Sequence, residues 1–248
     1  MIEKHGGNIF KLAQKAGRRP EDICDFSANI NPLGSPEAVR RVIISRISSL
    51  VHYPDPDCVS LIQAFAKRYG PAPEEIIAGN GSTEILYLLP RVIGASRAVV
   101  PVPSYADYTT AARLGNLPVE KFPLQEENGF ALDLAALAGA LRPSDLVILG
   151  QPNNPTGLLC DPDGLRNLAA IFPQTTFVMD ESFLAFTAGT QSLIIDRPSN
   201  VIVLMSLTKF FAIPGLRLGL AVAEREIIAG LQKILPPWSV NALAQAVA

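Results

Sequence analysis

"NVIVLMSLTKFFAIPGLRLGLAVA", residues 200–223, decides how this chain folds. "NVIVLMSLTK" reads as a mostly apolar strand that ends at Lys209. "LGLAVA" reads as another. Apolar runs without polar alternation suit strands that are buried on both faces. Between the two runs lie Ser206, Thr208, Lys209 and Arg217. These four fit an ordinary polar loop, and they also fit the floor of a ligand site. The rest of the chain has to choose.

Working outward, helical and strand patterns alternate from about residue 58. "SLIQAFAKRYG" is an amphipathic helix ending at Gly70. "IIAGNGSTEILYLLPRVIG" is a short strand, a glycine turn and a helix. "RAVVPVP" is a strand, and "SYADYTTAARLG" is a helix with Ser104 as its candidate cap. "PVEKF", "DLVILG" and "TTFVMD" are strands, separated by the helices "DLAALAGALR" and "DGLRNLAAIF". "EREIIAGLQKIL" closes the pattern as a helix. The fold class expected is α/β, three layers αβα around a mostly parallel central sheet. The first 34 residues read as an extended, turn-rich arm, and 35–248 as one large domain. A helix is expected from near Ser35, with Pro36 at its first position, and "HYPDPD" is a rigid loop.

Composition narrows the function classes. The 248 residues are 48% hydrophobic and 18% charged, with a net charge of −2, so no basic excess points to nucleic acid. Three scattered cysteines form no CxxC pair, and two histidines make a histidine-rich metal site improbable. "MIEKHGGNIFKLAQKAG" lacks an apolar signal core, and no apolar run is long enough to span a bilayer. The expectation is a cytoplasmic protein with no membrane partner.

In an open α/β sheet, ligands bind beyond the carboxyl ends of the strands. The unusual polar residues fall there. In "GNGSTE", Gly81 permits a tight turn and Ser82 and Thr83 open a helix, whose free amides favour an anion. A plain glycine turn with a serine cap fits as well. In "QPNNPTG", Asn154 precedes a proline that holds it extended, so its amide could face a ligand oxygen or solvent. "FVMDES" ends a strand in two acids. Asp180 would need a cationic partner if buried, such as a protonated ring nitrogen, or could cap the next helix. A partly desolvated Lys209 would have a lowered pKa and act as a nucleophile.

The order GNGSTE, PNNPTG, DES, SLTKFFAIPGLRLG resembles the fold-type I pyridoxal-phosphate enzymes of the aspartate aminotransferase superfamily. "HGGNI", "DFSANINPLG", "HYPDP" and "VPSYADY" look more narrowly like the threonine-phosphate decarboxylases of cobalamin biosynthesis, with histidinol-phosphate aminotransferases as close relatives. The resemblance implies pyridoxal 5′-phosphate as cofactor, with Lys209 as its Schiff-base lysine and Asp180 paired with the ring nitrogen. It implies Asn154 on the ring hydroxyl and Tyr105 on the ring face. Gly81, Ser82, Thr83, Ser206, Thr208 and Arg217 would hold the cofactor phosphate. Tyr53 would reach the cofactor of a neighbouring subunit, hence a homodimer. His5, Gly7, Asn8 and Asn31 would line the side for a small phosphorylated amino acid substrate.

Two departures carry information. Aminotransferases of this group commonly place a tyrosine where this chain has Phe183, which cannot donate to a ring hydroxyl. That agrees better with decarboxylation. The family also continues into a C-terminal small domain bearing the arginine for the substrate carboxylate. No residue here takes that role, so a fragment or a truncated product is expected, with apolar surface left uncovered.

Overall fold

The structure, a computed structural model, describes residues 6–248. Seven strands form one sheet: β1 (Ile76–Asn80), β2 (Arg97–Val102), β3 (Val119–Pro123), β4 (Asp145–Gly150), β5 (Thr176–Asp180), β6 (Val201–Ser206) and β7 (Leu218–Val222). Their order is β1-β7-β6-β5-β4-β2-β3. The five strands from β3 to β6 in that order run parallel. β7 is antiparallel to both neighbours, so β1 runs in the same direction as β6.

Successive residues of a strand face opposite sides of the sheet. Ile76, Val147, Leu149, Phe177, Met179, Val201 and Val203 therefore join one core. Ile77, Leu146, Ile148, Val178, Ile202 and Leu204 join the other. The first core is covered by α3 (Val59–Tyr69), α6 (Leu134–Ala140), α7 (Pro162–Ile171) and α10 (Ala242–Val247). The second is covered by α4 (Ser82–Val92), α5 (Ala106–Leu114) and α9 (Arg225–Ile234). The three-layer α/β fold is thus present.

Four details differ from the sequence reading. The arm is not wholly extended. It contains α1 (Ile9–Ala16), capped by the Asn8 side chain, which accepts from the Lys11 amide. α2 (Glu37–Arg46) begins after Pro36, which stands one place before the first helical position. Ser104 does not cap α5; Tyr105 occupies that position and no side chain bonds the free amides. β6 ends at Ser206, and Lys209 lies in α8 (Leu207–Phe210), a single helical turn.

One contact sets the distance between a helix end and the sheet. Gly219 of β7 lies between Gly79 and Ser206. A Cβ there would fall 2.0 Å from the Ser82 backbone nitrogen. The first turn of α4 therefore rests directly on β7, and only glycine leaves room for it. Gly219→Ala should cost about 1–3 kcal/mol by overpacking, whereas Gly94→Ala, with open space at its Cβ, should cost under about 0.5 kcal/mol. Paired thermal melts check this; equal melting temperatures for the two variants would refute it.

Candidate functional site

The carboxyl ends of β1, β4, β5 and β6 point to one edge of the sheet. They deliver Gly81, the 151–157 loop, Asp180 and Ser206 to the same crevice. Lys209, Asp180, Asn154, Tyr105, Ser82 and Thr83 line one cavity there, with Tyr108, Ser182 and Phe183 completing its wall. A larger cavity shares Asn154 and Phe183 and continues past Asn29, Ile30, Phe186 and Thr187.

Asp180 is buried. It caps no helix. Its Oδ2 accepts from the Tyr108 hydroxyl at 2.9 Å, and its Oδ1 accepts from the Ser182 amide at 3.0 Å and the Ser182 hydroxyl at 2.5 Å. These three donors satisfy the buried carboxyl oxygens, which would be costly to leave unpaired. Lys209 Nζ donates to Ser206 Oγ at 3.3 Å. Burial holds the Lys209 amine below the ordinary lysine range; Asp180 opposes that shift and Arg217 adds to it. The amine is therefore more often neutral, and so nucleophilic, than a surface lysine.

Beside the amine, the Ser206 and Thr208 hydroxyls lie 2.8 Å apart, both buried. Gly81, at φ 80°, precedes α4, whose first turn has no side-chain cap. A Cβ on Gly81 would meet the Arg217 guanidinium at 2.4 Å. Arg217 itself sits at φ 56°, with one N–H donating to the Pro214 carbonyl at 3.4 Å. Free helix amides, two hydroxyls and a guanidinium thus converge, a donor set for a dianion.

Besides Asn29 and Ile30 on the larger cavity, the arm meets the lysine turn through Asn31. Asn31 donates its backbone N–H to the Lys209 carbonyl at 3.1 Å and its side-chain amide to the Phe210 carbonyl at 2.9 Å. Its side-chain oxygen accepts from the Leu33 amide. Gly7 donates its N–H to Ser27 Oγ, and Asn8 is exposed as the cap of α1. Neither lines the cavities described above. His5 lies outside the described residues. Tyr53 is 80% exposed and packs against the Trp238 ring at 4.7 Å between centroids, outside both cavities.

Sequence reasoning passed over Tyr108 and Ser182. Each left a signal. Tyr108 follows Tyr105 by three residues, so both rings share one face of α5, and they meet edge-on at 5.5 Å. Ser182 follows Asp180 by two, the spacing of a local side-chain turn. Glu181 was noted only as a second acid. It is buried and accepts from Ser192 Oγ and the Leu193 amide. Among the described residues, no cluster of three metal-ligating side chains occurs, and no helix is long and apolar enough to cross a membrane.

The chain matches the model of the family "Aminotransferase class I and II" over residues 21–248. It is 40% identical over 250 residues to the adenosylcobalamin biosynthesis bifunctional protein CobDQ of Leptospira interrogans, covering 99% of this chain and 29% of that one. It is 38% identical over 246 residues to the threonine-phosphate decarboxylase of Salmonella typhimurium, covering 97% and 67%. The crystal structure of histidinol-phosphate aminotransferase from Clostridium acetobutylicum superposes with a TM-score of 0.81 at 30% identity, covering 91% of this chain and 68% of that one. The chain thus spans under a third of one relative and about two thirds of the other two.

Burial pushes the Glu181 carboxyl up to about 7, with the Asp180 charge in the same direction and Ser192, Leu193 and Arg166 opposing. Between about pH 4.5 and 7 the folded chain then keeps a proton that the unfolded chain has released. Stability from this group is full below about 4.5 and lost as pH rises to about 7. Glu181→Gln, which cannot ionise, should therefore show a flatter melting temperature across this window than the parent. Parallel pH profiles would mean that Glu181 ionises at its ordinary value.

Proposed function

This chain belongs to the aminotransferase class I and II family, and from that premise we propose that it forms the cofactor-binding large domain of a threonine-phosphate decarboxylase. The observation that carries this reading is the 38% identity to the Salmonella enzyme across nearly the whole chain. Phe183 supports it, because it lines the cavity together with Asn154 and has no hydroxyl to donate to a ring oxygen. The reaction would convert L-threonine O-3-phosphate to carbon dioxide and (R)-1-aminopropan-2-yl phosphate, with one proton added at Cα. The domain division proposed is an arm over 1–34 and the large domain over 35–248.

The family's cofactor is pyridoxal 5′-phosphate, and the residues present fit it. The α4 amides at Ser82 and Thr83, the Ser206 and Thr208 hydroxyls and Arg217 would hold its phosphate, in the space that a side chain at Gly81 would fill. Asp180, held in place by Tyr108 and Ser182, would face the ring nitrogen. Asn154 would take the ring hydroxyl and Tyr105 the ring face. Tyr53, exposed on this copy, would reach the cofactor phosphate of a second copy in a homodimer. The arm, with His5, Gly7, Asn8 and Asn31, would close the substrate side.

When bound, the cofactor supplies an electron sink for the pair left at Cα. The chain's own residues do the rest. Lys209, whose amine burial makes easier to deprotonate than a surface lysine's, would be the nucleophile that holds the cofactor, and once displaced and protonated it would be the acid that returns a proton to Cα. Ile30, Phe183 and Phe186 make the adjoining wall apolar. A carboxylate against such a wall is poorly solvated, and its loss as neutral carbon dioxide removes the buried charge. Asn31 holds the Lys209 backbone in register while the side chain works.

A second reading is a histidinol-phosphate-type aminotransferase, favoured by the likeness to the Clostridium structure. There Lys209 would take the Cα proton instead. A third is a cofactor-binding chain without turnover, kept because the chain spans only 67% of the Salmonella relative. The purified chain with added pyridoxal phosphate should develop the visible absorption band of a lysine-bound cofactor, and Lys209→Ala should lack it. Carbon dioxide release from L-threonine O-3-phosphate should then fall by about 10²–10⁴-fold in the variant. A band with conversion of the cofactor to its amine form, and no carbon dioxide, would favour the aminotransferase. A band with neither would favour the third reading. No band in the parent would sink the cofactor assignment.

A further inference from the structure

We propose that Asp107 is a positioning residue that locks the Tyr105 ring to the first turn of α4. The proposal rests on the cofactor reading above and adds a residue to it. That reading assigns the phosphate to the N-terminus of α4 and the ring face to Tyr105, just before α5. These are separate elements, with β2 between them in the chain. A cofactor joins phosphate and ring at a fixed distance, so the protein must fix the same distance between its two grips.

The page shows what does so. The Tyr105 hydroxyl donates to Asp107 Oδ2 at 2.8 Å. The same hydroxyl oxygen is hydrogen-bonded by Thr83 of α4. Asp107 is also hydrogen-bonded to Tyr87, four residues beyond Thr83 and so on the same face of α4. A single carboxylate at the start of α5 thus gathers Tyr105 directly, Tyr87 directly and Thr83 through the Tyr105 hydroxyl. On its other side the Tyr105 ring meets Tyr108 edge-on, and Tyr108 in turn holds Asp180. Ring platform, phosphate cradle and buried carboxylate become one connected unit, joined by hydrogen bonds and by the Tyr105–Tyr108 ring contact.

A plainer reading is that Asp107 is an acid favoured in the first turn of any helix. Such acids face water. Asp107 is 6% exposed, and a carboxylate that far from solvent is tolerated only when its oxygens are hydrogen-bonded. The plain reading accounts for neither the burial nor the two tyrosines that meet there.

The test uses the full chain with pyridoxal phosphate as the probe and three readouts: affinity, circular dichroism of the bound cofactor, and the melting temperature without cofactor. Asp107→Leu should weaken cofactor binding at least tenfold and alter the induced dichroism per bound molecule. Asp107→Asn, which keeps an acceptor for the Tyr105 hydroxyl, should recover most of both. Tyr105→Phe removes the group that Asp107 grips, so combining it with Asp107→Leu should weaken binding no further than the worse single variant. Unchanged dichroism alongside a lowered cofactor-free melting temperature would assign Asp107 a merely structural role and overturn the proposal. Additive losses in the double variant would overturn it too. Should the leucine variant fail to fold, Asp107→Asn and Tyr105→Phe, singly and combined, decide by the same additivity criterion. A parent that binds no cofactor overturns the cofactor reading itself, an outcome distinct from the others.

Discussion

A carboxylate at the end of a central strand is the constraint on which the site is built. Asp180 stands between β4 and β6, out of water, where an unpaired charge would be very costly. Its surroundings answer that cost group by group. Ser182 turns the chain back so that amide and hydroxyl both reach Oδ1, and Tyr108 reaches Oδ2 from α5. The Lys209 charge is the remaining partner at longer range. Burial lowers the basicity of the lysine, and Asp180 restores part of it.

The antiparallel strand β7 does the complementary work at the phosphate end. By entering between β6 and β1 it brings Gly81, Ser206 and Arg217 together, though they are far apart in sequence. The connection from β6 to β7 must then be short and sharply bent. Ala212 and Arg217 both adopt left-handed backbone without being glycine, a conformation that surroundings must enforce. The Ile213 amide bonds the Thr208 carbonyl, and Asn31 bonds the carbonyls of Lys209 and Phe210. An arm residue read from sequence as facing substrate thus contributes backbone restraint, which suits an arm that folds over the lysine loop.

Most strands were legible because their runs are apolar on both faces; β3, with Glu120 and Lys121 exposed, is the exception. The cavity residues Lys209, Asp180, Asn154, Ser82 and Thr83 were legible because polar residues at strand ends stand out against those runs, whereas Tyr105 was reached only through the family resemblance. What stayed hidden depends on long-range packing. The direction of β7 is fixed by its neighbours in the sheet, and no local signal in "LGLAVA" records it. Ser104 looked like a cap by residue type, but the chain enters α5 one residue later. Nothing in the sequence marks Asp107 as buried, because its burial comes from α4 packing alongside α5. Helix α10, after the last apolar pattern considered, is capped by Asn241 and packs Ala244 into the core.

The arm and the segment after α2 raise a further physical demand. Phe26, Leu33, Val51 and Tyr53 are each at least 80% exposed. Single exposed apolar residues are ordinary, but several clustered in residues 26–53 are not. Tyr53 already packs on Trp238, itself 46% exposed, so the surface extends to the chain's C-terminal part. Apolar area left in water favours association roughly in proportion to its size. A second copy laid against it would hide these side chains and carry Tyr53 toward the neighbour's phosphate cradle. Association and completion of the site would then draw on the same free energy. If Tyr53 reaches the partner's cofactor as proposed, the cofactor would bind more tightly to the paired chains than to one alone, because only the pair would present every donor.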